Sequence, residues 1–389
     1  MPYLRSVSIG VWLRVGSMME LPAENGLSHY LEHMVFKGTT KRSNRQIAEE
    51  IDAVGGQLNA FTGKDCTCLY AKVIDENIDL AIDVLSDLVL NATLDPADFD
   101  KERGVILEEI GCYEDNPAEL IFDDFEEILF RGHALGHNIL GTPRHVRRLN
   151  PTHARSFADR YYHPANAVLF VYGNIPFSRI VLWTERFTAD LPSGCPNRNR
   201  TAPPPYTPCK VEQTRRTHQT HVMLGCVGYP SGDKRRTGLY LLNNMLGGPG
   251  MNSRLNLALR EHSGLVYSVE SNLTSYTDTG VFNIYFGTDA RDADRCIELT
   301  LKELDRLRHQ PLTTLQLSAA KKQLIGQVGV ASDNFESTAL GMAKTYLHYG
   351  KYEGLEALYR RIEALTAKEL WDIANELFGQ DNLSVLIYR

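Results

Sequence analysis

Gly26-Leu27-Ser28-His29-Tyr30-Leu31-Glu32-His33-Met34-Val35-Phe36-Lys37-Gly38 is the stretch around which this 389-residue chain is organised. Leu27, Tyr30, Leu31, Met34 and Val35 follow a helical period. At ~100° per residue, His29, Glu32 and His33 fall together on another face of that helix. Two imidazoles one turn apart can grip a single metal ion. Zn²⁺, one per chain, suits them best, because two neutral imidazoles, a carboxylate and an open water position form the usual catalytic zinc shell. Glu32, next to both histidines, is then a general base rather than a ligand, placed to take a proton from water that the metal acidifies toward a pKa of ~7.

Outward from this helix the elements follow in order. Ser6 to Gly16 is β-branched and apolar and predicts a strand. Ser43 caps a helix from Asn44 to Val54, closed by Gly55-Gly56. Gln57 to Thr62 and Thr67 to Ile74 predict a hairpin across Gly63-Lys64-Asp65. Asp75 to Leu90 is amphipathic, with Ile78, Ala81, Ile82, Leu85 and Leu88 or Val89 inward. Asp95-Pro96 starts a long helix that reaches about Tyr113. A helix from Pro151, a strand over 166–174 and a helix over 177–190 complete the first half.

Residues 192–209, rich in proline and without apolar period, read as a linker. The order of elements then restarts, with a strand over 218–228, helices over 234–246 and 252–262, strands over 265–275 and 279–288, further helices, and a final strand over 383–388. Tyr240-Leu241-Leu242-Asn243-Asn244-Met245-Leu246-Gly247 sets against the segment from His29 to Phe36, with Asn243 and Asn244 where Glu32 and His33 stand. The apolar face recurs while the His/Glu face does not, so the chain reads as a duplicated domain in which only the first copy keeps metal chemistry. The expected domains are 1–191, metal-binding, and 210–389, without a metal, each an antiparallel sheet covered by helices in an α+β architecture.

The spacing H-x-x-E-H inverts the H-E-x-x-H of the commoner zinc proteases. With it the chain resembles, over nearly its whole length, the pitrilysin/insulinase family of metallopeptidases, and most closely the short, two-halved members of processing-peptidase type. The resemblance implies a clamshell of the two domains and a third zinc ligand at Glu109, with Glu108 as its neighbour and competitor. Glu102 and Glu109 are seven apart and share a helical face, whereas Glu108 is turned away by about 100°. Glu102 is then a supporting group that orients a histidine or the metal site.

Leu259-Arg260-Glu261-His262-Ser263-Gly264-Leu265-Val266-Tyr267 looks like the family's arginine-and-tyrosine segment. The resemblance implies that Arg260 holds the substrate backbone and that Tyr267 donates to the oxyanion. Their structural alternative is a helix C-terminal cation and an amphipathic strand residue. The strand with Asn59, Ala60 and Phe61 resembles the family's edge strand, which binds an extended peptide by β-augmentation. Family members carry a further strand or two ahead of the first one seen here, so the first sheet is expected to lack an edge strand.

Composition sets limits. Hydrophobic residues make up 43% and charged residues 23%, as in ordinary globular proteins. A net charge of -7 argues against a nucleic-acid partner. No run of apolar residues is long enough to span a membrane, and no secretory signal pattern opens the chain. Seven scattered cysteines fit reduced thiols in a cytoplasm. No G-x-x-x-x-G-K-[ST] and no G-x-S-x-G is present, which removes two other enzyme classes. The expectation is a zinc endopeptidase acting on peptides or unfolded polypeptide, as a homodimer. The alternative is a non-catalytic partner subunit of a processing-peptidase-like assembly.

Overall fold

The computed structural model describes residues 5–189, 194, 201–215 and 217–389. The first half of the chain runs β1 (Ser6–Leu13), α1 (Leu27–Val35), α2 (Asn44–Asp52), β2 (Gln57–Thr62), β3 (Thr67–Ile74), α3 (Ile78–Asn91), α4 (Pro96–Glu114), α5 (Pro117–Leu129), α6 (Pro143–Val146), α7 (Pro151–Tyr161), β4 (Ala167–Tyr172) and α8 (Phe177–Ala189). The second runs β5 (Lys210–Gln213), β6 (Thr220–Gly228), α9 (Arg236–Gly247), β7 (Val266–Ser275), β8 (Gly280–Thr288), α10 (Ala293–His309), α11 (Thr314–Ala331), α12 (Phe335–Tyr349), α13 (Leu355–Ala364), α14 (Ala367–Leu377) and β9 (Ser384–Tyr388).

Local chemistry accounts for most boundaries. Ser43 and Gln46 form a reciprocal cap that starts α2. The Asp95 carboxylate accepts from the backbone N–H of Ala97 (2.8 Å), so Pro96, which has none to offer, can open α4. The helix expected over 252–262 is instead wound as a π-helix over Asn256–Glu261. Within the expected linker, residues 201–209 carry neither helix nor strand, while Pro192 and Pro196 lie outside the described residues.

Among the described residues, each of two compact units has one sheet. In the first unit the order is β2-β3-β1-β4, all antiparallel, with β1 in the interior and β2 on an edge. Helices cover both faces of β1, so the strand is buried almost without alternation. In the second unit the order is β5-β9-β6-β8-β7, antiparallel apart from β5 on β9. Reading β6 for β1, the β7–β8 hairpin for β2–β3, and β9 for β4 superposes the two orders, so the duplication holds at the level of topology. The strand that β5 adds beside β9 has no counterpart beside β4 among the described residues.

The units are not the two continuous halves of the chain. The first takes in Ser332–Tyr352 and the second Tyr113–Gly136. Thus α12, from late in the sequence, packs on β1 and β4, and α5, from early in it, packs on β6 and β9. The boundaries expected at 191 and 210 therefore differ from the contact-defined units by this exchange of helices. Its cause is apolar complementarity: Ala339, Ala343 and Leu347 of α12 close over Trp12, Cys66, Cys68 and Phe170. Small residues one turn apart let the helix lie close to the sheet.

Candidate metal centre

The first turn of α1 is prepared before its ligands begin. Gly26 holds the N-cap at φ 91°, where a Cβ would be strained and would also meet the Leu140 carbonyl oxygen at 2.6 Å. The Glu20 carboxylate accepts from the backbone N–H groups of Gly26 (2.8 Å) and Ser28 (2.7 Å), two donors that the helix cannot satisfy itself. Burial pushes Glu20 up to about 7 in spite of those bonds.

Tyr30 registers α1 against α4. Its ring stacks on Phe99 at a centroid distance of 4.0 Å, and its hydroxyl donates to the Phe99 carbonyl oxygen. Phe99, Glu102, Ile106 and Ile110 form the buried face of α4, and the same side carries Glu109 toward the histidines. Glu109 Oε2 lies 3.7 Å from His29 Nε2 and 3.6 Å from His33 Nε2, whereas Glu108 is exposed.

Those separations are too long for good hydrogen bonds. Bonds of ~2.0–2.2 Å from a tetrahedral ion would set neighbouring ligand atoms roughly 3.3–3.6 Å apart, close to what is found. Burial, helped by the nearby His33, holds His29 down to about 3, so it is a neutral imidazole with a lone pair to offer. Two imidazole nitrogens and one carboxylate oxygen converging in a partly buried place suit zinc by donor type as well as by spacing.

Around these three the polar groups are tied down. His33 Nδ1 is 2.8 Å from Glu102 Oε1, and the other oxygen of Glu102 is 2.6 Å from Lys37 Nζ. Glu32 accepts a hydrogen bond from Thr62 Oγ1, on the last residue of β2. Burial raises the Glu32 carboxyl, partly opposed by that bond and by His33. On β2 itself Asn59 and Phe61 are exposed and Ala60 is half-buried. Phe61 stands edge-on to Trp12 at 5.3 Å, and the Asn59 side chain accepts from the Ala60 N–H.

The structure therefore brings His29, Glu32, His33, Glu102 and Glu109 together in the first unit. Arg260 and Tyr267 belong to the second. There the guanidinium lies over the Tyr267 ring at 5.9 Å, and Tyr267 is 84% exposed. Sequence reasoning missed Thr62, Lys37 and Glu20. Lys37 falls one turn beyond His33, a spacing that could have flagged it. Thr62 and Glu20 carry no local signal.

A second cluster, Asp65, Cys66 and His348, also gathers ligand-type atoms. Its separations are those of hydrogen bonds and ion pairs, 3.1 Å from Cys66 Sγ to Asp65 and 3.2 Å from His348 Nε2 to Asp65, and Lys344 adds a cation at 3.4 Å. It reads as a charge network that seats α12.

Fold and centre together have the make-up of the inverted-motif metallopeptidases. Residues 1–143 match the family model described as "Insulinase (Peptidase family M16)", and residues 148–324 match "Peptidase M16 inactive domain". The chain is 37% identical over 386 residues to an "Uncharacterized zinc protease" of Bacillus subtilis (strain 168), covering 99% of this chain and 94% of that one. It is 36% identical to an uncharacterized zinc protease of Streptomyces coelicolor, over 99% of this chain and 86% of the relative. Among solved structures, a peptidase M16 inactive domain from Pseudomonas fluorescens superposes with a TM-score of 0.91 at 20% identity, over 99% of this chain and 93% of its own. A protease from Helicobacter pylori does so with a TM-score of 0.91 at 22% identity, over 99% and 95%. The chain belongs to the M16, or insulinase, family of peptidases. No helix among the described residues is long and apolar enough to cross a membrane.

Proposed function

We propose that this chain is a zinc-dependent endopeptidase that cleaves extended peptide segments. The observation that carries the reading is the convergence of His29 Nε2, His33 Nε2 and Glu109 Oε2 beside the Glu32 carboxyl. The relatives named zinc proteases agree with it. Zinc held by these three residues would supply a Lewis acid that polarises a peptide carbonyl and acidifies water.

The chain's own groups do the rest. Glu32, raised by burial, sits where it can accept a proton and later pass it to the leaving amine. Glu102 holds the Nδ1 proton of His33, so that Nε2 keeps its lone pair. β2, an edge strand, can pair with an extended substrate main chain through the stretch Asn59, Ala60 and Phe61, with Phe61 supplying an apolar contact. Arg260 and Tyr267 are assigned substrate contact and oxyanion donation, supported by their exposure and their mutual contact.

The test is cleavage of a peptide library by the purified chain, with and without a chelator, and with zinc restored. Glu32→Gln should keep stoichiometric zinc and lose turnover by at least ~10²-fold. A zinc-loaded wild-type chain that cleaves nothing would favour the non-catalytic partner reading, and a zinc-loaded variant with wild-type turnover would remove Glu32 from the mechanism.

A further inference from the structure

We propose that Lys37 is a positioning residue of the metal centre: together with His33 it engages both oxygens of the Glu102 carboxylate, which leaves Glu109 as the carboxylate that faces the two Nε2 atoms. This rests on the metal-binding reading above and adds a residue to it.

The two acids lie on one face of α4, seven residues apart. Nothing in their chemistry distinguishes a ligand from a support. Their partners do. Glu102 is only 4% exposed, and a carboxylate so buried needs its charge met on both oxygens. His33 Nδ1 meets one at 2.8 Å and Lys37 Nζ the other at 2.6 Å.

Lys37 can do this because the chain beyond α1 stays wound long enough, its N–H bonding to the Met34 carbonyl oxygen at 3.1 Å, to bring its side chain to the His33 side. Remove the ammonium, and one Glu102 oxygen becomes a buried acceptor with no cation. The carboxylate is then free to rotate away from the His33 Nδ1 hydrogen, so that it no longer fixes the ring, or to compete with Glu109 for the ion. Among the described residues His29 has no such support: its Nδ1 is buried without a hydrogen-bond partner there. Orientation by charge is therefore concentrated on the His33 side of the centre.

The experiment compares wild type, Lys37→Met and Lys37→Arg by zinc affinity in chelator competition and, on the zinc-free chain, by nitrogen NMR of the imidazole tautomers. Lys37→Met should weaken zinc binding by roughly 10- to 100-fold and should mix the His33 tautomers, which in wild type favour Nδ1–H. Lys37→Arg should recover most of both. Wild-type affinity and an unchanged tautomer in Lys37→Met would overturn the proposal. His33→Ala is the control that separates the two readings. If it too binds zinc like wild type, the metal site itself is wrong; if it loses zinc while Lys37→Met does not, only the role of Lys37 falls. Should Lys37→Met fold poorly, the Glu102→Gln background decides: there the lysine substitution should add no further loss of affinity, and an additive loss would count against the proposal.

Discussion

Thr62 Oγ1, at the end of the edge strand β2, donates a hydrogen bond to Glu32 Oε2 on α1. β2 is an edge strand, so under the function proposed above the strand that would pair with a peptide also aims the carboxyl beside the three metal-type ligands, and substrate contact and proton transfer would share one support.

Removing that hydroxyl should be felt in turnover and not in metal binding. Thr62→Val keeps the shape and leaves Glu32 without its donor. A hydrogen bond to a charged group is worth about 1.5–3 kcal/mol, so kcat should fall by roughly 10-fold or more while zinc content stays at wild type, and Thr62→Ser should restore most of the rate. Loss of zinc in Thr62→Val, measured by metal analysis, would mean that the contact shapes the ligand set instead.

Asp65 ties the β2–β3 turn to α12. Burial would push its carboxyl up, but the Lys344 ammonium and His348 hold it below the usual carboxylate range. Its stabilising share is present above the unfolded pKa and is lost as pH falls through the depressed value. Asp65→Asn takes the carboxylate away from the Lys344 ammonium, and from His348, at the seat of a helix that comes from far along the sequence. Breaking a buried pair costs 3–5 kcal/mol, and the partial exposure of Lys344 brings this down to about 2–3 kcal/mol. Denaturant unfolding at neutral pH should show it, and proteolysis should cut first in the segment around α12. Cleavage elsewhere would argue against this anchoring.

Much of this was legible because it is local. The helical period around Leu27, Tyr30 and Met34, the caps at Ser43 and Asp95, and the hairpin at Gly63-Lys64-Asp65 each depend on neighbours a few residues away. The duplication was legible through the recurring apolar face of α9. The exchange of α5 and α12 was not, since an amphipathic helix shows which side it buries but not against which sheet. The same holds for Thr62 and Glu20, whose partners are set by tertiary approach, and for Tyr30, read as apolar, whose hydroxyl also has a backbone partner in α4.

The corresponding interior strands β1 and β6 share a feature that tests the duplication. Gly10 in β1 pairs with Tyr70 and Phe170, and Gly225 in β6 pairs with Asn283 and Ser384, at equivalent places in the two sheets. A Cβ on Gly225 would come within 2.1 Å of the Phe282 carbonyl oxygen, and one on Gly10 within 2.6 Å of that of Leu69. Backbone cannot yield as a flexible side chain does. Gly225→Ala and Gly10→Ala should each destabilise by about 2–3 kcal/mol, visible as lower denaturation midpoints. A neutral result at either site would mean that its sheet relaxes there.

Glu20 gives the pH dependence whose sign is clearest. Its carboxyl is raised from 4.5 to about 7 by burial, with Glu24 adding to the rise and the N–H groups of Ser28 and Gly26 opposing it. A folded state that holds this proton more tightly than the unfolded one gains stability below pH 4.5 and loses it as pH climbs toward 7, by about 3 kcal/mol in all. Glu20→Gln removes the slope. It also turns an NH₂ toward one of two backbone donors, a cost of about 1–3 kcal/mol that does not vary with pH. The gap between variant and wild type should therefore be widest in acid and should narrow or reverse above pH 7. Parallel stability curves from pH 4 to pH 8 would show that Glu20 stays charged in the folded protein, held so by the first turn of α1.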